Sequence, residues 1–268
     1  ISEMTDDGIE TDYSQTNCRF FRNRLTNCFQ GISEQPVFGG PVYIFRNAMY
    51  NIGVEPYKMH TAGEDITSGF FIFHNTCVKE GLPWMVWCQI TVDNVTTRNN
   101  LFIGSQKFIE ADGRSRAMDF SPKMTACDFD YDGFGGGPFE TFAKWNGVTY
   151  KTLDEMKKTA PVETHAVEVD AAKVFDSGTQ APSDVKKQYP IRTNDLRLRA
   201  GSKAIDAGAP VPNVNDGYKG RAPDLGAYEL GDKLPQYGPR GEGARRPSQS
   251  EREFNNDLRD GITNRLGG

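Results

Sequence analysis

Cys18-Arg19-Phe20-Phe21-Arg22-Asn23, Val42-Tyr43-Ile44-Phe45-Arg46-Asn47 and Phe70-Phe71-Ile72-Phe73-His74-Asn75 are three versions of one phrase, and Arg98-Asn99 closes a fourth. In each, a cation-capable residue precedes an asparagine, and the asparagines stand 24, 28 and 24 residues apart. A period in the twenties built on short β-favouring runs is the mark of a β-solenoid, in which one coil stacks on the next. Such a coil turns sharply at the same place on every level, and Asn enters the left-handed backbone region more readily than other non-glycine residues. Stacked coils lie about 4.8 Å apart, so equivalent amide side chains can hydrogen-bond along the stack. The four phrases therefore predict an all-β solenoid with an asparagine ladder at one corner.

The strand before each phrase is also repeated. Asp7-Gly8-Ile9-Glu10-Thr11-Asp12 alternates after a glycine turn, Gly31-Ile32-Ser33-Glu34-Gln35 takes its place 23 residues on, and Pro56-Tyr57-Lys58-Met59-His60 follows. Aligned on Gly8, Gly31 and Pro56, the apolar residues Ile9, Ile32 and Tyr57 fall on one side. Period-two alternation then puts Glu10, Ser33 and Lys58 in one outward column and Asp12, Gln35 and His60 in the next. In the phrases themselves Phe20, Ile44 and Ile72 form one stack and Phe21, Phe45 and Phe73 the other. Two apolar faces predict that something covers the outside of this sheet, and the later chain is the candidate.

Beyond residue 81 the pattern loosens through Trp84, Trp87 and Cys88, then recovers near Asn99-Asn100-Leu101-Phe102-Ile103. Residues 126–137 read as a loop rich in Asp, Tyr and Gly. Thr152 and Glu155 have capping-box spacing, with Pro161 past the end, and predict one short helix. Residues 160–195 read as irregular connections with short strands around Val167-Glu168-Val169 and over 172–175. Residues 241–268 carry five Arg and five acids with few large apolar residues, the composition of a solvated tail.

Composition bounds the function class. With 28 Gly and 15 Pro in 268 residues the chain is turn-rich, and a formal charge of −5 without a basic block provides no attraction to nucleic acid. No apolar run is long enough to span a membrane. Ile1 in place of a start methionine predicts that processing or an incomplete chain removed what came before, a secretion signal included. Cys18, Cys28, Cys77, Cys88 and Cys127 are odd in number and lack C-x-x-C spacing, so they read as small hydrophobes rather than a disulfide framework or a zinc site.

The block Gly201-Ser202-Lys203-Ala204-Ile205-Asp206-Ala207-Gly208, running through Asn215-Asp216-Gly217 to Pro223-Asp224-Leu225-Gly226-Ala227-Tyr228-Glu229, resembles the C-terminal signature of secreted bacterial right-handed parallel β-helix proteins of the pectate-lyase-like superfamily. Gly39-Gly40-Pro41-Val42-Tyr43-Ile44 and His74-Asn75-Thr76 look like coils of the same group. The resemblance implies a right-handed parallel β-helix over residues 1–126, a covering loop and short-helix segment over 127–195, a closing block over 196–240 and the tail. It also implies a secreted or cell-surface protein whose solvent-facing sheet takes an acidic polysaccharide, as lyase or glycoside hydrolase. The Asp-Asp-Cys stretch of polygalacturonase-like hydrolases and a lyase arginine motif are both missing, and the superfamily includes non-catalytic members. A structural or adhesive β-helix that self-associates through an open solenoid end is therefore the alternative.

Three constellations can carry chemistry. Glu10, Asp12, Lys58 and His60 supply paired carboxylates for hydrolysis, or a Lys or His base for eliminative cleavage of a uronate; their other reading is a solvated charged face. Arg22, Arg46, His74 and Arg98 form a cationic strip at coil spacing, suited to carboxylate or sulfate groups if outward, and paired with acids of the covering segment if not. Asp128, Asp130 and Asp132, followed by Gly133, resemble the start of a calcium loop, although Phe139 stands where an EF-hand needs an acid. Trp84, Trp87, Tyr131, Phe134 and Trp145 are either sugar platforms or core.

Overall fold

The computed structural model describes residues 1–14, 16–60, 66–88, 90–107, 115–191 and 194–238. The chain divides into two compact units, Ile1–Pro235 and Gln236–Gly268, and every element below belongs to the first. The tail expected over residues 241–268 lies outside the described residues.

The fold is all-β. Strands Ser2–Glu10, Arg24–Ser33, Ala48–Ile52, Thr76–Val78, Leu101–Ile103, Gly133–Gly135 and Val167–Glu168 lie side by side in an eight-stranded sheet, with Tyr57–Lys58 also paired to Arg24–Ser33. A six-stranded sheet runs Cys18–Phe21, Phe38–Phe45, Ile66–Phe73, Thr91–Arg98 and Lys123–Thr125, with Asp128–Asp130 also paired to Thr91–Arg98. Trp84–Val86, Met118–Phe120, Ala143–Trp145 and Val148–Tyr150 make a four-stranded sheet. Among the described strands pairing is parallel except between the last two of these, and an isolated antiparallel bridge joins Phe175 and Leu198. Successive stretches of chain visit the sheets in rotation, which parallel pairing demands because each strand must return to the same end before joining its predecessor.

The register follows the predicted repeat. Ile9, Ile32 and Tyr57 are Cα partners in sequence, as are Glu10, Ser33 and Lys58. The approach between rungs at this point is close enough to require glycine, since a Cβ on Gly31 would stand 2.2 Å from the carbonyl oxygen of Pro56. Inward columns such as Val42, Phe70 and Val95 fill the core. Trp84 lies between the Phe102 and Phe129 rings, stacked at 4.3 and 5.0 Å, and Phe134 and Trp145 complete this aromatic centre. Among the proposed sugar platforms Trp84, Phe134 and Trp145 are thus core, because their columns face inward.

The asparagine ladder exists, with two corrections. Its fourth member is Asn100, because Phe73 pairs with Arg98 and the repeat is one residue longer there. The left-handed residue on each rung is the one before the ladder: Arg22, Arg46, His74, Asn99 and Tyr131 have φ of 54, 54, 51, 62 and 59°. The ladder residues serve as hydrogen-bonding rungs. The backbone and side-chain amides of Asn23 both donate to Oδ1 of Asn47, those of Asn47 to Asn75 and those of Asn75 to Asn100, all at 2.9–3.0 Å. Each Nδ2 from Asn47 onward also donates to a carbonyl of the preceding rung, Phe20, Ile44 or Ile72.

Residues 126–137 form a further rung rather than a loop. Asp128-Phe129-Asp130 is a strand with Phe129 inward, and the alternation within an acidic segment is what carries it. The helix Leu153–Thr159 is capped as expected, the Thr152 hydroxyl accepting from the Glu155 N–H at 3.1 Å. No helix among the described residues is long and apolar enough to cross a membrane. All five cysteines are free thiols.

Covering chain lies elsewhere than expected. Arg24, Asn27, Tyr50 and Asn51 of the eight-stranded sheet hydrogen-bond to backbone carbonyls of Asn194, Tyr189, Gln180 and Lys187. Gly226 and Ala227 close on Asn99 and Thr76. On the outer face of the six-stranded sheet Arg19 and Phe21 are exposed, Tyr43, Phe45 and Phe71 half-buried and Phe73 buried, so among the described residues the face is open at its first rung.

Candidate functional site

Of the residues expected to carry catalysis some meet, and other acids join them. Asp12 accepts from the Ser33 hydroxyl at 2.6 Å and the Gln35 N–H at 3.0 Å. Lys58 pairs with the buried Asp7 at 2.9 Å. Burial opposes the Lys58 charge, but the hydrogen bond and charge of Asp7, with Asp12 and Asp6 beyond it, raise its pKa on balance. His60 turns to Glu55, with Nε2 2.9 Å from Oε2, and Glu55 also accepts from the Trp87 N–H at 2.7 Å. Glu10 is exposed beside this group, and Ser33, expected outward, is buried beneath Asp12.

Glu34 was unmarked in the sequence and is the most perturbed member. It is fully buried, and neither carboxyl oxygen has a hydrogen-bond partner among the described residues. Burial first, then the charges of Asp12, Glu55 and Asp7, hold its pKa far above the carboxylate range. The signal available was an acid immediately after the inward-outward alternation of Ile32-Ser33. A neutral carboxyl beside ionised ones is the pattern of acid–base chemistry, but the oxygens of Glu34 are closed to solvent.

The cationic strip divides. Arg46 is mostly buried and reaches the Ala227 carbonyl and Glu229 at 3.4 Å, so it lies under the closing block. His74 is fully buried, and its Nε2 is 2.9 Å from Asn99 Nδ2 and 2.7 Å from Asn215 Nδ2, the two amides donating. Burial, with the nearby Arg46 charge, lowers its pKa to about 3, so it is neutral. Arg98 faces outward from the six-stranded sheet and pairs with Asp128 at 2.5 Å. Arg22 is exposed.

The three aspartates do not converge. Asp128 faces solvent toward Arg98, Asp130 accepts from the His165 N–H and lies 2.6 Å from its Nδ1, and Asp132 turns inward to the ladder. The left-handed turn at Tyr131 separates the third from the first two. Among the described residues no group of three His, Cys, Asp or Glu is placed to hold a metal.

The open sheet face supplies a second candidate surface. Parity with the inward Phe20, Ile44, Ile72 and Thr97 places two columns on the opposite side: Arg19, Tyr43, Phe71, Thr96 and Asp128, and Phe21, Phe45, Phe73, Arg98 and Asp130, with Phe73 itself buried. Phe21 and Phe45 stack at 4.8 Å with planes 2° apart, and Tyr43 and Phe71 at 5.1 Å. The Arg19 guanidinium lies 5.4 Å over the Tyr43 ring. An apolar ridge results, 46% of Phe21 being exposed, with a cation at either end. Its signal in the sequence was Arg19 within a run of aromatic residues at the first three rungs, Phe21, Tyr43, Phe45 and Phe71.

Comparison with known proteins found no family model that matches the chain, and no curated protein or solved structure similar to it.

Proposed function

We propose that the chain is a right-handed parallel β-helix protein of the secreted or cell-surface kind that binds an acidic polysaccharide along the open face of its six-stranded sheet. Rotation of the chain among parallel sheets, with rungs recurring at 24 to 32 residues, supports the architecture. The single observation that carries the function is the aromatic ridge whose first rung exposes Phe21 and the Arg19 guanidinium. Sugar rings present apolar C–H faces to such a ridge, and guanidinium groups beside it suit carboxylate or sulfate substituents.

Binding is favoured over cleavage because the candidate base Lys58 is neutralised by Asp7 and the candidate acid Glu34 is closed off. The test is titration with uronic-acid and sulfated polysaccharides, with and without calcium, following heat of binding together with reducing ends and unsaturated products. Saturable binding lost in Phe21→Ser and Arg19→Gln supports the reading. Product formation that survives those substitutions and is lost in Asp12→Asn transfers the function to the acid cluster. Absence of binding together with ordered self-association favours the structural alternative.

A further inference from the structure

We propose that Arg22 and Arg46 form a binding cleft for a compact oxyanion of the sulfate or phosphate class. The two residues are equivalent on neighbouring rungs: the Arg22 N–H donates to the Phe45 carbonyl and the Arg46 N–H to the Phe73 carbonyl. Both have φ of 54°, a conformation that costs a residue bearing a Cβ on the order of 1 kcal/mol and that turns the chain out of the sheet at this corner. Rungs about 4.8 Å apart bring two guanidinium groups within reach of one tetrahedral anion.

The cleft has a volume of about 360 Å³, and its lining includes Arg22, Arg46, Asn215, Glu229, Asp232 and Lys233. Three cations thus face two acids, and neither acid is a full counter-charge. Asp232 is engaged by Lys219 at 2.5 Å. Glu229 is mostly buried, which raises its pKa, and its contact with Arg46 is long at 3.4 Å. The Arg22 side chain makes no hydrogen bond or ion pair among the described residues. The next position of the column, His74, is neutral and occupied by two asparagine amides, so the positive strip ends at Arg46.

This site lies at the turn past the ridge and does not depend on the glycan reading. The oxyanion has two sources, a free ion or a sulfate or phosphate ester on a larger molecule. Amide chemical shifts of the full chain, titrated with inorganic sulfate and phosphate, and with a sulfated oligosaccharide and its desulfated form, separate them. Shifts around residues 22, 46 and 215 are expected with the ions, and Arg22→Gln is expected to weaken that binding about tenfold, with Arg22→Lys retaining part of it. Tighter binding of the sulfated oligosaccharide than of sulfate, lost on desulfation and in Arg22→Gln, assigns the ester source; equal affinity assigns the free ion. Arg22 is exposed, so its substitution leaves the fold intact. Failure of every anion to bind, or binding unaltered in Arg22→Gln, overturns the proposal.

Discussion

Asp132 receives both amides of Asn100 on a single oxygen, the backbone N–H at 2.7 Å and Nδ2 at 2.9 Å, and so ends the asparagine ladder with a carboxyl group. Its other oxygen accepts from the Thr97 hydroxyl at 2.6 Å, where the equivalent positions on the lower rungs are apolar and a carbonyl is used instead. Burial pushes Asp132 up to about 6, and Glu163, fully buried beside it, is raised well above the usual range by its own burial and then by the Asp132 charge. The pair holds a proton that two unfolded carboxyls would release.

Stability should therefore fall with rising pH. A raised folded pKa gives a contribution that is complete below the unfolded value, about 4, and is lost as pH climbs through the folded value, about 6 for Asp132. Glu34 acts in the same direction. Asp195 and Asp206, whose pKa values are lowered by hydrogen bonds, lose their contributions only in more acidic solution. Urea unfolding between pH about 5 and 8 should show this decline, and Asp132→Asn should reduce it while restoring an amide to the ladder. An unchanged slope in Asp132→Asn argues against a shared proton.

Rungs in the middle of the ladder should matter more than the first. Asn75→Ala strands the Asn47 backbone N–H and takes one of two donors from Asn100 Oδ1 and the side-chain donor from the Ile44 carbonyl, in a dry interior, and should cost about 3 kcal/mol. Asn23, half-buried and with a partner on one side, should cost about 1 kcal/mol on replacement by Ala. Equal losses in chemical denaturation would show that the ladder is not cooperative.

The Lys58–Asp7 pair is a test of buried charge. Lys58→Met leaves Asp7 without its cation among Asp12, Glu34 and Glu55 and should destabilise by about 3–5 kcal/mol. The double variant Asp7→Leu with Lys58→Met should recover most of that loss. Additive losses in the double-mutant cycle would mean that the pair is not coupled.

Glycine separates close approach from open turns. Gly31→Ala drives a Cβ to 2.2 Å from a backbone oxygen and should cost about 2–3 kcal/mol, whereas Gly217→Ala, with nothing near its added atom, should be neutral or slightly stabilising. Similar midpoints for the two variants would contradict the rung spacing at Pro56.

Much of the rung pattern was legible because it is local and periodic. Ile9, Ile32 and Tyr57 align, and Glu10, Ser33 and Lys58 share a register, since period-two alternation and a repeat in the twenties determine both. The slip at Arg98 was illegible, because one added residue moves the repeat without altering the apolar run before it. Beyond Ser33 and Lys58 the chain leaves the strand, and there Asp12 meets Ser33 and the Gln35 N–H while His60 meets Glu55, partners that period-two alternation does not specify.

By itself the sequence determined the all-β class, the parallel repeat, the short helix with its Thr152 cap, and which side chains of a strand share a face, because these depend on neighbours two to four places away and on periodicity. Tertiary structure alone decided which face stays open and which charges are matched. Arg19 and Phe21 stay exposed while Gln180, Lys187, Tyr189 and Asn194 lie on the other sheet, and Arg46 meets Glu229 while Arg22 does not. Those outcomes depend on contacts between segments more than a hundred residues apart, and burial, which sets the protonation of Glu34, His74 and Asp132, exists only after those segments have come together.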